Sequence, residues 1–441
     1  MAHPVEAKTQ AGNSGEDEGE PSVIQWLVLA IVTATLILML VRPRGIAEAW
    51  VALAGAVLTL VTGAVPLSAV RGVIGETENV LLFLAGMLLL TGIAERAGIF
   101  AALAELCVRA ARGNGRVLYV SLFLLGALVT ATLSLDVTVI MLTPIVYALT
   151  SNRRLDPVPY LFGCVFVANT ASLVLPISNL TNLLVYARID VTFGAFVRVM
   201  WWPNLVALTA NLIIFLWIFR RRIPDRFAMQ SRDDDSASAG IDPWLIVNGV
   251  VVMATLVGIF ALGLANRPLW WASLTGAGLL SIAAFASNRL SARQTWHDLS
   301  PNIFVFIVSM TVVVDGFQRS WLDGRLLALP ANETTAALTG VLVGAIGSNI
   351  VNNVPMTILA LPIIERAAPA VQHALAYGTL VGTNIGPALT TYGSLATMIW
   401  LTMVRQRGIE ISTGDYLRVS MVTVPIVLLA TSAALVLVLT R

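Results

Sequence analysis

Apolar runs of bilayer-crossing length recur from residue 23 to the C-terminus, separated by short loops that hold most of the arginines. A helix needs about 20 apolar residues to cross roughly 30 Å of hydrocarbon, and a soluble core cannot absorb so many such runs. Of 441 residues 57% are hydrophobic and 12% charged, with a mean hydropathy of +0.83, so the chain is expected to be an all-α polytopic membrane protein embedded in the lipid bilayer. A net charge of +2 gives no basis for nucleic-acid binding. Cys107 and Cys164 form no Cys-x-x-Cys pair, and His3, His297 and His373 are scattered along the chain. No G-x-x-x-x-G-K-[ST] loop occurs either. Neither a zinc site, a disulfide framework nor an intrinsic ATPase is supported, and no cofactor is expected.

Residues 1–22 are polar and acidic and read as a disordered tail, unlike a signal peptide. Apolar segments follow at about 23–41, 46–66 and 78–94, with two shorter arms at 117–133 and 137–150, and then 159–187 and 194–219. The stretch 220–242, which begins with Arg220, Arg221 and Arg222, divides the chain almost in half. The second half offers segments at about 243–264, 269–289, 301–317, 336–367, 372–403 and 419–440.

The two halves carry the same features in the same order, the mark of an internal repeat. "NVLLFLAGMLLLTGIAER" from Asn79 matches "NIFVFIVSMTVVVDGFQR" from Asn302, with Asn79/Asn302, Phe83/Phe306, Met87/Met310 and Arg96/Arg319 in register. "VANTASLVLPISNLTNLLVY", residues 167–186, is apolar but interrupted by Asn169, Thr170, Ser172, Pro176, Ser178, Asn179, Thr181 and Asn182. Its counterpart, "GTNIGPALTTYGSLATMIW" from Gly382, pairs Asn169 with Asn384 and Ser178-Asn179 with Gly393-Ser394. A second polar interruption precedes each, "TLSLDVTVIMLTP" from Thr132 and "GSNIVNNVPMTILALP" from Gly347.

Basic loops face the cytoplasm, so Arg42 and Arg44 are placed there, as are Arg109, Arg112 and Arg116 after two further crossings. Arg153 and Arg154 close the far side of 117–150. A segment that starts and ends on one side is a re-entrant hairpin, with its tip near Leu135 and Asp136. The same rule returns the chain to the cytoplasm at Arg220 and runs the second half in the opposite sense, its hairpin at 336–367 entering from outside. The expected fold is therefore two inverted repeats, 23–219 and 243–441, each with five crossing helices and one hairpin. Both termini lie outside, and the 220–242 loop is cytoplasmic.

Non-helical backbone at membrane depth must be buried in protein or line a watery cavity. Pro176, Gly386-Pro387 and Gly393 break their helices, so breaks and hairpin tips can meet at the midplane around a small polar chamber. The candidate substrate residues are Ser134, Asp136, Asn169, Thr170, Ser172, Ser178, Asn179, Asn352, Asn353, Asn384, Thr390, Thr391, Gly393 and Ser394. The competing reading is that these groups only bind helices together. No Ser/His or paired-Asp arrangement suggests a hydrolase.

"SLDVTVIMLTP", "ANTASLVLPISNLTNLL", "SNIVNNVPMT" and "NIGPALTTYGSLATMIWL" resemble the corresponding segments of bacterial arsenite/antimonite efflux pumps of the ArsB type, in the ion transporter superfamily. The resemblance spans nearly the whole chain from residue 23. It implies a multi-pass protein of the plasma or inner membrane that exports arsenite or antimonite. Where those pumps usually carry Asn-Asp at the first tip, this chain has Leu135-Asp136.

As(OH)3 is uncharged at neutral pH and offers three hydroxyls, which suits a pocket of Asn, Ser and Thr. A site of three thiolates is impossible with two cysteines. Uphill export of a neutral solute needs a coupled ion or an ATPase. Asp136 is the candidate proton carrier, because a carboxylate among apolar residues is costly to keep charged. Its alternative role is to cap the second hairpin arm. Asp315 is a second, weaker coupling candidate. The resemblance also allows a separate cytoplasmic arsenite-stimulated ATPase as partner. A sodium/proton antiporter and a sodium-coupled dicarboxylate or citrate transporter are the alternatives within the same fold.

Overall fold

The computed structural model describes residues 22–228, 242–323 and 330–440. Most of the expected acidic tail, 1–21, and the middle of the expected linker, 229–241, lie outside the described residues. Among those described the fold is helical, with nine helices long and apolar enough to cross a membrane.

The first half begins with α1 (Val23–Val41), α2 (Glu48–Val61), α3 (Leu67–Arg96) and α4 (Ile99–Ala111). Next come α5 (Gly115–Thr132), the single turn α6 (Leu135–Val137) and α7 (Thr143–Asn152), with a π-helical turn at Thr138–Leu142. Then α8 (Pro157–Thr170), α9 (Leu180–Tyr186) and α10 (Phe193–Ile218) complete it. The second half comprises α11 (Pro243–Leu264), α12 (Trp270–Ala286), α13 (Ala292–Leu299) and α14 (Pro301–Phe317). These are followed by α15 (Glu333–Val351), α16 (Asn353–Arg366), α17 (Pro369–Ile385), α18 (Leu395–Gln406) and α19 (Thr413–Leu439).

Local chemistry sets many of these starts. Asp156 caps α8 and Asp242 caps α11, each followed by proline at the first helical position, where no N–H is missed. Ser412 and Asp415 form a capping box on α19. Both breaks fall where the sequence predicts them. A 3-10 turn at Pro176–Ser178 separates α8 from α9, and another at Gly386–Leu389 follows α17.

The expected loop between 94 and 117 is instead largely the amphipathic helix α4, and α13 is a second short helix outside the expected set. Neither is long enough to span. Helix α3 starts at Leu67 rather than near residue 78, because the charged turn around Glu76 stays helical.

Elements of the two halves pack together, α2 on α14 and α3 on α12 in one group and α10 on α19 in the other, where α15 and α17 of the second half also pack on each other. Small residues allow the close approach expected where helices gain little from lipid exclusion. Gly316 lies against Thr59, Gly86 against Ser273, and the Ser273 hydroxyl donates to the Phe83 carbonyl at 3.3 Å.

Polar contacts define the two ends of the bundle. At one end Arg96 pairs with Asp298, Arg153 with Glu105, Arg222 with Asp156, and the Tyr147 hydroxyl donates to the Arg407 carbonyl. At the other end Gln25 donates to the Ser320 carbonyl, Arg188 pairs with Glu76 and Glu365, and Arg366 with Asp323. The open end of the α5–α7 hairpin belongs to the first set and that of the α15–α16 hairpin to the second.

Candidate functional site

Both hairpin tips turn through the same unusual backbone. Ser134 has φ 143° and ψ 165°, and Asn352 has φ 77° and ψ 156°. This region is almost confined to glycine and costs about 1–3 kcal/mol for other residues, which is why such strain concentrates at functional sites. Each residue is the N-cap of its second arm, so the two tips are matched in position as well as conformation.

At the first tip the Ser134 hydroxyl accepts from the Val137 amide at 3.4 Å, so Ser134 rather than Asp136 provides the cap. Asp136 lies in the first turn of that arm, where the exposed amides favour an anion. It is half-buried, and among the described residues its carboxylate has no hydrogen bond or ion pair. Pro144 lacks the amide that the Ile140 carbonyl would need, and the helix passes through its π-turn just before this point. The Thr130 and Thr138 hydroxyls, 2.7 Å apart, bridge the two arms.

The first break closes on Asn384 of α17. Its Oδ1 accepts from the Ser172 hydroxyl and from Asn179 Nδ2, both at 2.6 Å. Its Nδ2 donates to Asn182 Oδ1 at 2.9 Å, to Thr181 Oγ1 at 3.3 Å and to the Leu380 carbonyl at 2.7 Å. Asn182 in turn donates to the Ser172 and Leu175 carbonyls. Ser172, Asn179 and Asn384, three of the expected site residues, are thus joined in one buried knot whose hydrogen-bonding capacity is used internally.

The other candidates are placed separately. The Ser178 hydroxyl donates to the Ala131 carbonyl on α5 at 2.8 Å. Thr170 accepts from Asn211 of α10 at 2.9 Å, while Asn169 Nδ2 donates within α8 and leaves Oδ1 buried without a partner. Thr390 donates to Asn349 Oδ1 at 2.7 Å, the Asn353 amide donates to the Gly393 carbonyl at 3.1 Å, and Ser394 caps α18 as Asn179 caps α9. The Asn352, Asn353 and Thr391 side chains have no polar partner among the described residues. Asn352 lines a small crevice with Met39, Glu48 and Tyr392. Asp315 pairs with Arg319 at 2.9 Å and lines a crevice with Glu365 near the C-terminal end of α16, not with either tip residue.

Three residues that hold this region were not singled out from the sequence. Asn349 donates to the Ala345 and Gly386 carbonyls, both at 2.8 Å, and so ties α15 to the second break. Asn204 accepts from the Leu173 amide at 3.3 Å, and Asn211 holds Thr170. The signal for the last two was present: asparagines seven residues apart mark one face of an otherwise apolar α10.

Two hairpins converging on two broken helices within a polytopic bundle is the construction of a membrane transporter. The citrate transporter family, CitMHS, matches residues 27–382. The arsenical pump membrane protein of Escherichia coli K12 is 30% identical over 419 residues, covering 92% of this chain and 97% of its own length. That of Yersinia enterocolitica is likewise 30% identical with the same coverage, and the putative arsenical pump membrane protein of Bacillus subtilis is 25% identical. The crystal structure of the YdaH transporter of Alcanivorax borkumensis superposes with a TM-score of 0.56, covering 93% of this chain and 97% of that one, at 16% identity. The chain belongs to the CitMHS transporter family and, within the ion transporter superfamily, to its arsenical pump membrane proteins.

Proposed function

We propose that this transporter moves arsenite or antimonite, as the neutral trihydroxide, out of the cytoplasm in exchange for protons. The observation that carries the reading is the pair of matched, strained tips, one of which presents an unpartnered carboxylate, Asp136. In this reading Ser134, Asp136, Asn352, Asn353 and Thr391 face the solute, whereas the Asn384 knot and the Thr390 and Gly393 contacts fix the breaks in place. Asp136 takes up the proton, and Asp315, held by Arg319, is left with a lesser part. The names of the relatives support arsenical cargo, and neutral Asn, Ser and Thr groups suit three hydroxyls better than they suit an anion.

The same reading treats 23–219 and 243–441 as inverted repeats, with both termini outside and the 220–242 loop in the cytoplasm. A cytoplasmic ATPase is an optional partner of such a pump and has no place in the exchange itself.

The family description, citrate transporter, favours a second reading: sodium-coupled uptake of a carboxylate at the exposed amides of the second arms. Flux into liposomes holding only this protein separates the two. Antiport predicts that arsenite accumulates on the side protons leave, and that Asp136→Asn abolishes the response to the gradient. Sodium-driven citrate uptake without arsenite flux would replace the first reading with the second.

A further inference from the structure

At the end of the bundle that holds Gln25 and Glu365, a crevice of about 150 Å³ lies between α3, α14 and α16. It has room for several waters, and hence for a small solute with three hydroxyls. Thr311 lines it one helical turn further into the bundle than Asp315. Arg188, just beyond α9, closes part of its wall. Its side chain is only 20% exposed, with Nη2 2.7 Å from Glu76 Oε2 and Nη1 3.0 Å from Glu365 Oε1.

The three residues sit on elements with different roles. Glu365 is on the second hairpin and Arg188 follows the first broken helix, so both belong to the group that carries the tips. Glu76 is on α3, which packs against α12 in the other group. A guanidinium can hold two carboxylates at once because its donors form a rigid fork. Displacement of one group against the other therefore leaves Arg188–Glu365 intact and must break Arg188–Glu76.

We infer that the crevice is the extracytoplasmic port of the transport path and that Arg188 is the positioning residue that latches it shut, with Glu76 as the fixed catch and Glu365 as the carrier of the latch. This rests on the proposed transport cycle and on the orientation given by the basic loops.

The test is the rate at which a membrane-impermeant maleimide, added from outside, labels Thr311→Cys in a background carrying Cys107→Ala and Cys164→Ala. Arg188→Gln is expected to raise that rate about tenfold, within the usual range for coupling between conformational states. Glu76→Gln should raise it comparably, because it removes the catch. Glu365→Gln should leave it near the parental rate, because the catch survives. A residue that merely stabilised this end would respond alike to loss of either carboxylate. Equal effects of the two Glu variants, no effect of Glu76→Gln, or labelling only from the cytoplasmic side would each overturn the port. The two Glu variants decide the matter even if Arg188→Gln fails to insert. Labelling needs no cargo: a port that opens in a protein without arsenite flux would retire the cargo alone, whereas arsenite flux with unchanged labelling would retire the port alone.

Discussion

The two halves attach hairpin to broken helix in different ways. In the second half, Gly340 and Gly344 of α15 meet Gly378 and Gly382 of α17, two G-x-x-x-G faces pressed backbone to backbone. A Cβ on Gly378 would fall 2.1 Å from the Ala337 carbonyl oxygen, and one on Gly340 2.5 Å from that of Leu375. In the first half the corresponding contact is made by side chains: Gly126 of α5 faces a Val167 methyl, and Gly163 of α8 faces the Tyr119 hydroxyl. The ties to the breaks are reversed as well. Ser178 on the first break reaches the Ala131 backbone of its hairpin, whereas Asn349 on the second hairpin reaches the Gly386 backbone of its break. The second half thus holds a backbone-locked anchor and the first a side-chain-packed attachment, and Asp136, whose carboxylate has no partner among the described residues, sits in the first. Side chains can adjust by changing rotamer and backbone cannot, so the surroundings of Asp136 can rearrange more readily than those of the second tip.

The largest expected effect tests that contrast directly. Gly378→Val forces its side chain into the backbone of α15 and should cost about 4 kcal/mol or more, enough to prevent recovery of monodisperse protein. Gly126→Ala meets only a methyl and should cost about 1–3 kcal/mol. Equal yields in size-exclusion chromatography would break the comparison. Next comes Asn384→Leu, which strands the Ser172, Asn179 and Asn182 partners and should lower stability by about 2–3 kcal/mol, read as the unfolding temperature in detergent. The smallest effects sharpen the reversed ties. Ser178→Ala and Asn349→Ala should each cost about 0.5–2 kcal/mol, the range for a membrane hydrogen bond. Asn349→Ala, which removes the two donations to Ala345 and Gly386, should be the larger. A reversed order of unfolding temperatures would argue that the first half is the anchor.

Much of this was legible in the sequence for physical reasons. Pro176 and Gly386-Pro387 mark breaks whether or not distant partners are known. Length and hydropathy locate crossing helices, but they cannot find α4 or α13, whose apolar residues form one face rather than a run. The beginning of α3 was obscured because Glu76 looks like a loop residue until Arg188 is brought against it. Choice of partner was the least readable layer. The matched positions Asn169 and Asn384 are both polar, yet only Asn384 became the centre of a knot. Asn349 lies in "SNIVNNVPMT" beside Asn352 and Asn353, and nothing local indicates which asparagine faces the break.

Glycine would occupy the backbone of either hairpin tip without strain, yet the chain keeps Ser134 and Asn352 there. Laboratory evolution for heat resistance should therefore favour Ser134→Gly and Asn352→Gly, and the hardiest descendants would be those that had given up the polar side chains of the two tips.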